Sequence, residues 1–444
     1  MLTRRSLLAA PAVLLKSSWK LATFTANITP PVGTPLCYGL IAPGKQLDDP
    51  LAARGVVIYP EREKPIVLCA LDWLGVGNQS HDRWREALAR AAGTEPSRVA
   101  VHTVHPHDAP GEDVSAEEIL QGNGLGNVLM SLPAANKALE NVSAAVQAAQ
   151  PQRITHYSSG RAAVEKIASN RRILDKEKDG KVVFGRMTAC RDNAACDAPE
   201  GVIDPLLRSV SFWDGAKRLA TLAYYASHPM SYYARGGIGA DFPALARQQQ
   251  DTFTVYFTGA AGNIGAGKYN TGATANRAVL AARLADGMRA ARAAENKYVL
   301  ETMSWHVEPV ALPHRTGAAF TEEAIVKVMR DEQAQLRDRA SCGRYLAWLR
   351  LVKAGRKIDL TALHIGATKL IHAPGELFVE YQLALQKERG ADMIALAAYG
   401  DYGPMYIGTA KAYDEGGYET TLVSRVAPAV EGALTEALVR VAKS

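Results

Sequence analysis

The chain has 444 residues, 48% hydrophobic and 22% charged, with a formal charge of +6. This balance excludes an intrinsically disordered chain. No lysine- or arginine-rich stripe with interleaved aromatics occurs, which argues against a nucleic-acid partner.

At the start, Thr3-Arg4-Arg5-Ser6 precedes the apolar run Leu7 to Leu15. A basic segment followed by a short hydrophobic one resembles a twin-arginine export signal; an ordinary amphipathic helix is the alternative. Residues 1–26 are expected to be that signal, with Ala22 and Ala26 as cleavage candidates. Residues 27–444 are then one domain, in the periplasm or outside the cell. Removing the leader takes away Arg4, Arg5, Lys16 and Lys20 and lowers the formal charge from +6 to +2, so the basic character says little about partners. Five cysteines are too few for a disulfide scaffold at this length. In an exported protein, Cys190 and Cys196 could bridge across their polar loop; two free loop thiols are the alternative.

Val56–Tyr59 and Ile66–Leu71 flank a charged turn and read as paired strands. Arg83–Ala92 reads as a helix and Val99–Val101 as a strand, an order that argues for α/β layering. Asn136–Gln150 is an alanine-rich helix. Val182–Phe184 and Val210–Phe212 read as strands, and Arg218–Ser227 is an apolar run. Phe253–Phe257 is a β-branched and aromatic strand, and Thr274–Ala294 a helix. Thr321–Leu349 reads as mostly helical. Leu360–Ile365, Leu370–Ala373 and Ala391–Ala398 are predicted strands, with Leu377–Lys387 a helix. Pro428–Val441 is the closing helix, with proline in its first turn.

Candidate ligands recur where apolar runs give way to Pro or Gly. His105 and His107 follow Val99–Val101, His228 follows the run ending at Ser227, and Glu376 follows Leu370-Ile371. Imidazole and carboxylate are usual zinc ligands. His105 and His107 alternate along an extended chain and share a face, with His102 on the other. The spacing matches no standard metal signature, and each histidine taken alone also fits a hydrogen-bonded loop residue. The stretch Thr258–Lys268 is glycine-rich but lacks the order of a phosphate loop. Its backbone N–H groups fit an anionic intermediate better.

These segments resemble the N-terminal catalytic domain of neutral/alkaline non-lysosomal ceramidases, from Ala26-Asn27-Ile28-Thr29-Pro30-Pro31 to about Ala427. His105-Pro106-His107-Asp108-Ala109-Pro110 is similar to the family's His-Thr-His segment, with Pro106 replacing threonine. Ala226-Ser227-His228-Pro229, Pro374-Gly375-Glu376, Asn170-Arg171 and the stretch from Tyr406 to Glu419 resemble further family motifs. The resemblance implies layered mixed β-sheets with flanking helices. It implies Zn²⁺ held by His105, His228, Glu376 and Tyr406, although His/Glu/Tyr ligands also suit iron or manganese. His107 is then an oxyanion donor or proton shuttle, and Arg171 engages a polar or anionic substrate group or forms a surface ion pair. Asp241 orients a ligand histidine or the water, or else caps the turn before Pro243.

The family's serine, counted back from Gly262-Asn263, falls at Gly259, which has no hydroxyl. A hydrolase of this kind is expected to use metal-activated water. No counterpart of the family's C-terminal immunoglobulin-like domain is expected within these residues. The implied activity is zinc-dependent hydrolysis of an amide, with an N-acyl lipid, and hence peripheral membrane contact, as one substrate class. A polar amide or ester is the second, and a non-catalytic metal-containing binding protein the third.

Overall fold

Three mixed sheets carry the chain, and each has one parallel pair at its edge. The first runs in the order Val99–Thr103, Ile66–Leu71, Ala52–Tyr59, Lys20–Asn27, Gln152–Arg153. The second runs Thr254–Thr258, Lys217–Tyr225, Leu206–Asp214, His156–Ala163, Asn296–Val299. The third runs Ser304–Val310, Ile358–Ile365, Thr368–His372, Met393–Ala397. The computed structural model describes residues 19–444 except 176–178, 184–185, 191 and 391.

The parallel pairs are Ile66–Leu71 with Val99–Thr103, Lys217–Tyr225 with Thr254–Thr258, and Thr368–His372 with Met393–Ala397. Parallel strands need a crossover. Helices Gln79–Ala92, Asp241–Gln248 and Val379–Glu388 supply the three. The carboxyl ends of the three parallel pairs meet, and that end of an α/β unit is where binding groups collect. The edges are joined directly. Thr258 Oγ1 donates to the Val104 carbonyl at 2.7 Å. The Ala398 amide donates to Thr258 at 3.0 Å, and the Thr103 amide to Tyr399 at 2.9 Å.

Apolar side chains from all three sheets, among them Leu68, Val101, Leu222, Val255, Ile371 and Ala395, are buried in one core. Helices cover the outer faces: Leu132–Ala148 packs on the first sheet, Ala275–Ala293 on the second and Val430–Lys443 on the third. No helix among the described residues is long and apolar enough to cross a membrane.

The predicted hairpin pairs in register, Val57 opposite Val67 and Ile58 opposite Ile66. Thr321–Leu349 divides into two helices, Glu322–Arg330 and Leu336–Lys353. Of the predicted strand Val182–Phe184, Phe184 lies outside the described residues, as does Ala391 of Ala391–Ala398. Cys190 and Cys196 form a disulfide.

One expected boundary shifts, and one strand is added to those predicted. A signal boundary at residue 26 falls inside the strand Lys20–Asn27, which pairs with Ala52–Tyr59 along its whole length and buries Leu21, Ala22 and Phe24. The folded domain thus begins before residue 26, and cleavage at Ala22 or Ala26 would strip a central strand from its sheet. Arg4-Arg5 and Leu7–Leu15 lie outside the described residues. The strand His156–Ala163 was not foreseen because its inward face is polar. The Ser158, Ser209 and Ser211 hydroxyls donate to the Glu295 carboxylate at 2.6–2.8 Å, which satisfies groups that apolar periodicity cannot reveal.

Candidate metal centre

The joined carboxyl ends bring His105, His107, His228 and Glu376 together from three sheets. The ligand atoms of His105, His107 and His228 all lie within 4.8 Å of one another. Glu376 Oε2 is 3.0 Å from His228 Nε2 and 3.5 Å from His105 Nε2. His105, His228 and Glu376 are buried. His105 takes φ +79°, beyond the strand end at Thr103, so the extended alternation expected to put His105 and His107 on one face does not hold; the loop brings them together instead.

The ring orientations are set by the backbone. His105 Nδ1 lies 2.5 Å from the Leu74 carbonyl and His228 Nδ1 2.6 Å from that of Ala261. A carbonyl can only accept, so each Nδ1 carries the proton and each Nε2 presents a lone pair. Tyr399 stacks on His105 with centroids 4.5 Å apart.

His105 Nε2, His228 Nε2 and Glu376 Oε2 have no hydrogen-bond partner. Three buried acceptors face one another, an arrangement that repels unless a cation lies among them. Burial, then Arg171, pushes His228 down to about 4. Burial, then His105 and His228, holds His107 well below its ordinary value. Neutral imidazoles and an ionised carboxylate are the forms that ligate metal. The donor set therefore fits a divalent ion such as zinc.

His107 stands closer to ligand rank than the resemblance implied. Its Nδ1 is buried without a partner, and its ring lies 5.3 Å from that of the partly exposed Tyr233. Tyr406 stacks on His228 at 6.3 Å. Its hydroxyl is 2.6 Å from the Tyr418 hydroxyl and accepts from Arg171 Nη2 at 3.3 Å. Arg171 is buried rather than a surface residue. It also donates to the Gly262 carbonyl and lies 3.6 Å from Glu419, leaving Nε and Nη1 without partners.

Of the two roles expected for Asp241, the hydrogen bonds show the turn-pinning one. Asp241 touches no ligand histidine. Its carboxylate accepts from the amides of Ser231 at 3.0 Å and Phe242 at 2.6 Å, with Arg277 at 3.6 Å. It pins the loop that follows His228. A Cβ at Gly259 would meet Gln382 Oε1 at 2.9 Å and Ala226 at 3.2 Å, so the backbone there is closely packed. Gly262 and Gly265 of the same loop border the site: a Cβ at Gly262 would lie 2.3 Å from the Glu376 carbonyl oxygen, and one at Gly265 3.6 Å from Arg171 Cδ.

Sequence reasoning passed over Tyr399, Tyr402 and Tyr418. The available signal was three tyrosines within Tyr399-Gly400-Asp401-Tyr402-Gly403-Pro404-Met405-Tyr406, just past a strand end.

Fold and site together define a mixed α/β protein with a buried cluster of metal-ligating side chains. No model of a known protein family matches the chain. No curated protein matches it in sequence. Among solved structures, it is similar to a neutral ceramidase from Pseudomonas aeruginosa, with a TM-score of 0.66 and 15% identity over 96% of this chain and 74% of that one. It is also similar to a ceramidase complexed with C2, with a TM-score of 0.67 and 17% identity over the same shares. At such identities the likeness establishes the fold.

Proposed function

We propose that this chain is a zinc-dependent hydrolase of an amide bond. The observation that carries the proposal is the convergence of three unpartnered buried acceptors, His105 Nε2, His228 Nε2 and Glu376 Oε2. With Tyr406, they would hold the ion; a phenolic oxygen has two lone pairs and can take a further partner beside Tyr418. A bound zinc ion supplies Lewis-acid polarisation of a carbonyl and lowers the pKa of water.

The chain's own residues do the rest. His107, neutral at physiological pH, can accept a proton from the attacking water at Nδ1 or donate to the developing oxyanion. Arg171 offers Nε–H and Nη1–H to a substrate oxygen. Buried walls exclude bulk water and strengthen both interactions.

An N-acyl lipid is the first substrate class to test, because the ceramidases share this fold. Peripheral membrane contact and export to the periplasm belong to the same proposal. A polar amide or ester is the second class, favoured by the unpaired edge of Arg171. Metal analysis of the wild type and of His228→Ala is the deciding experiment. About one zinc per chain, lost in the variant, is expected. Chelator-sensitive hydrolysis of N-acyl amides or of polar amides then separates the two classes. A wild type without zinc, even after reconstitution, sinks the proposal.

A further inference from the structure

Glu376 is held from behind by side chains that the metal site does not itself require. The Tyr402 hydroxyl donates to Glu376 Oε1. The Tyr402 ring stacks on that of Tyr38, with centroids 5.8 Å apart and an interplanar angle of 5°. The Arg344 guanidinium lies 3.7 Å from the Tyr38 centroid. All three side chains are buried.

Room for this column is made by two paired glycines, Gly75 and Gly111. A Cβ on Gly75 would meet Tyr402 ring carbons at 2.6 and 2.7 Å, and one on Gly111 would meet the Tyr38 ring at 2.5 Å. Tyr38 takes φ +54°, a costly conformation for an aromatic residue, and its hydroxyl donates to the Glu112 carbonyl at 3.3 Å. The column is built at a cost in backbone freedom, and its one polar outlet toward the site is the hydrogen bond to Glu376.

A carboxylate has two equivalent oxygens and turns readily about its last bond. Tyr402 removes that equivalence. Oε1 is taken by the phenol, and Oε2, without a partner, faces His105 and His228. We infer that Tyr402 is the positioning residue of the metal centre, fixing Glu376 so that Oε2 alone is presented to the ion. The inference rests on the metal-site reading above. Hydrogen bonds to a ligating carboxylate tune metal affinity, and losing one costs about 10–100-fold.

The test is equilibrium zinc affinity by chelator competition, for wild type and Tyr402→Phe. Thermal unfolding of the metal-free forms runs beside it. Phenylalanine keeps the stack and removes only the hydroxyl. The expected result is about 10–100-fold weaker zinc binding in the variant, with a metal-free Tm close to wild type. Equal affinity in the two proteins overturns the positioning role and leaves the metal site standing. A wild type that binds no zinc overturns both. If Tyr402→Phe does not fold, Gly75→Ala crowds the ring while keeping the hydroxyl. Weaker zinc binding is expected there too, and unchanged affinity overturns the inference.

Discussion

His228 and Glu376 approach to 3.0 Å from two different sheets, and Gly262 is what lets them meet. The Gly262 amide donates to the Leu377 carbonyl at 2.8 Å, and a Cβ at 262 would lie 2.3 Å from the Glu376 carbonyl oxygen. Gly262→Ala must therefore push the Glu376 turn away from the histidines. The expected outcome is zinc content well below one per chain and a loss of about 1–3 kcal/mol of stability. Metal analysis and urea unfolding read both, and a variant with full zinc and wild-type unfolding would contradict the packing described.

Asp241 separates stability from metal binding. Asp241→Ala leaves the Ser231 and Phe242 amides unpaired and deprives Arg277 of a carboxylate. A destabilisation of about 1–3 kcal/mol is expected, with zinc stoichiometry retained in the folded fraction. Loss of zinc at full stability would instead restore Asp241 to the ligand-orienting role.

The buried pair Arg247–Asp72 ties the helix Asp241–Gln248 to the first sheet. Arg247 Nη1 and Nη2 donate to the two Asp72 oxygens at 3.0 and 2.7 Å, and the Asp72 carboxylate also accepts from the Ala52 amide at 3.0 Å. Arg247→Ala strands a buried carboxylate and is expected to cost about 3–5 kcal/mol. Asp72→Asn combined with Arg247→Met should recover part of that loss, which a double-mutant comparison of unfolding energies measures. No recovery would mean that the pair's burial is not the source of the cost.

Acid should destabilise the fold before the carboxylates titrate. Burial pushes His102 down to about 3, and burial with Lys369 pushes His364 down to about 4. In the unfolded chain histidine takes up its proton near about 6.5. The unfolded state therefore binds more protons than the folded one below that pH. The stability these neutral histidines provide is complete above about 6.5 and falls as pH drops, levelling only near 3 to 4. Urea midpoints between about pH 7.5 and 4.5 should decline steadily. The decline should be shallower in His364→Phe, and an identical slope would remove His364 from this account.

The sequence by itself determined the local parts. Apolar runs marked the strands, alanine-rich and apolar spacing marked the helices, and changes to Pro or Gly marked the strand ends near which His105, His107, His228 and Glu376 stand. These features depend on near neighbours, so composition and spacing carry them.

Tertiary structure decided everything that depends on two sheets meeting. It turned Asp241 toward its own loop. It drew Arg171 inside and placed the Tyr402 hydroxyl on Glu376. Only the packing of three parallel edges determines which acceptor atoms are left without partners, because hydrogen bonds between distant segments have no local periodicity to betray them.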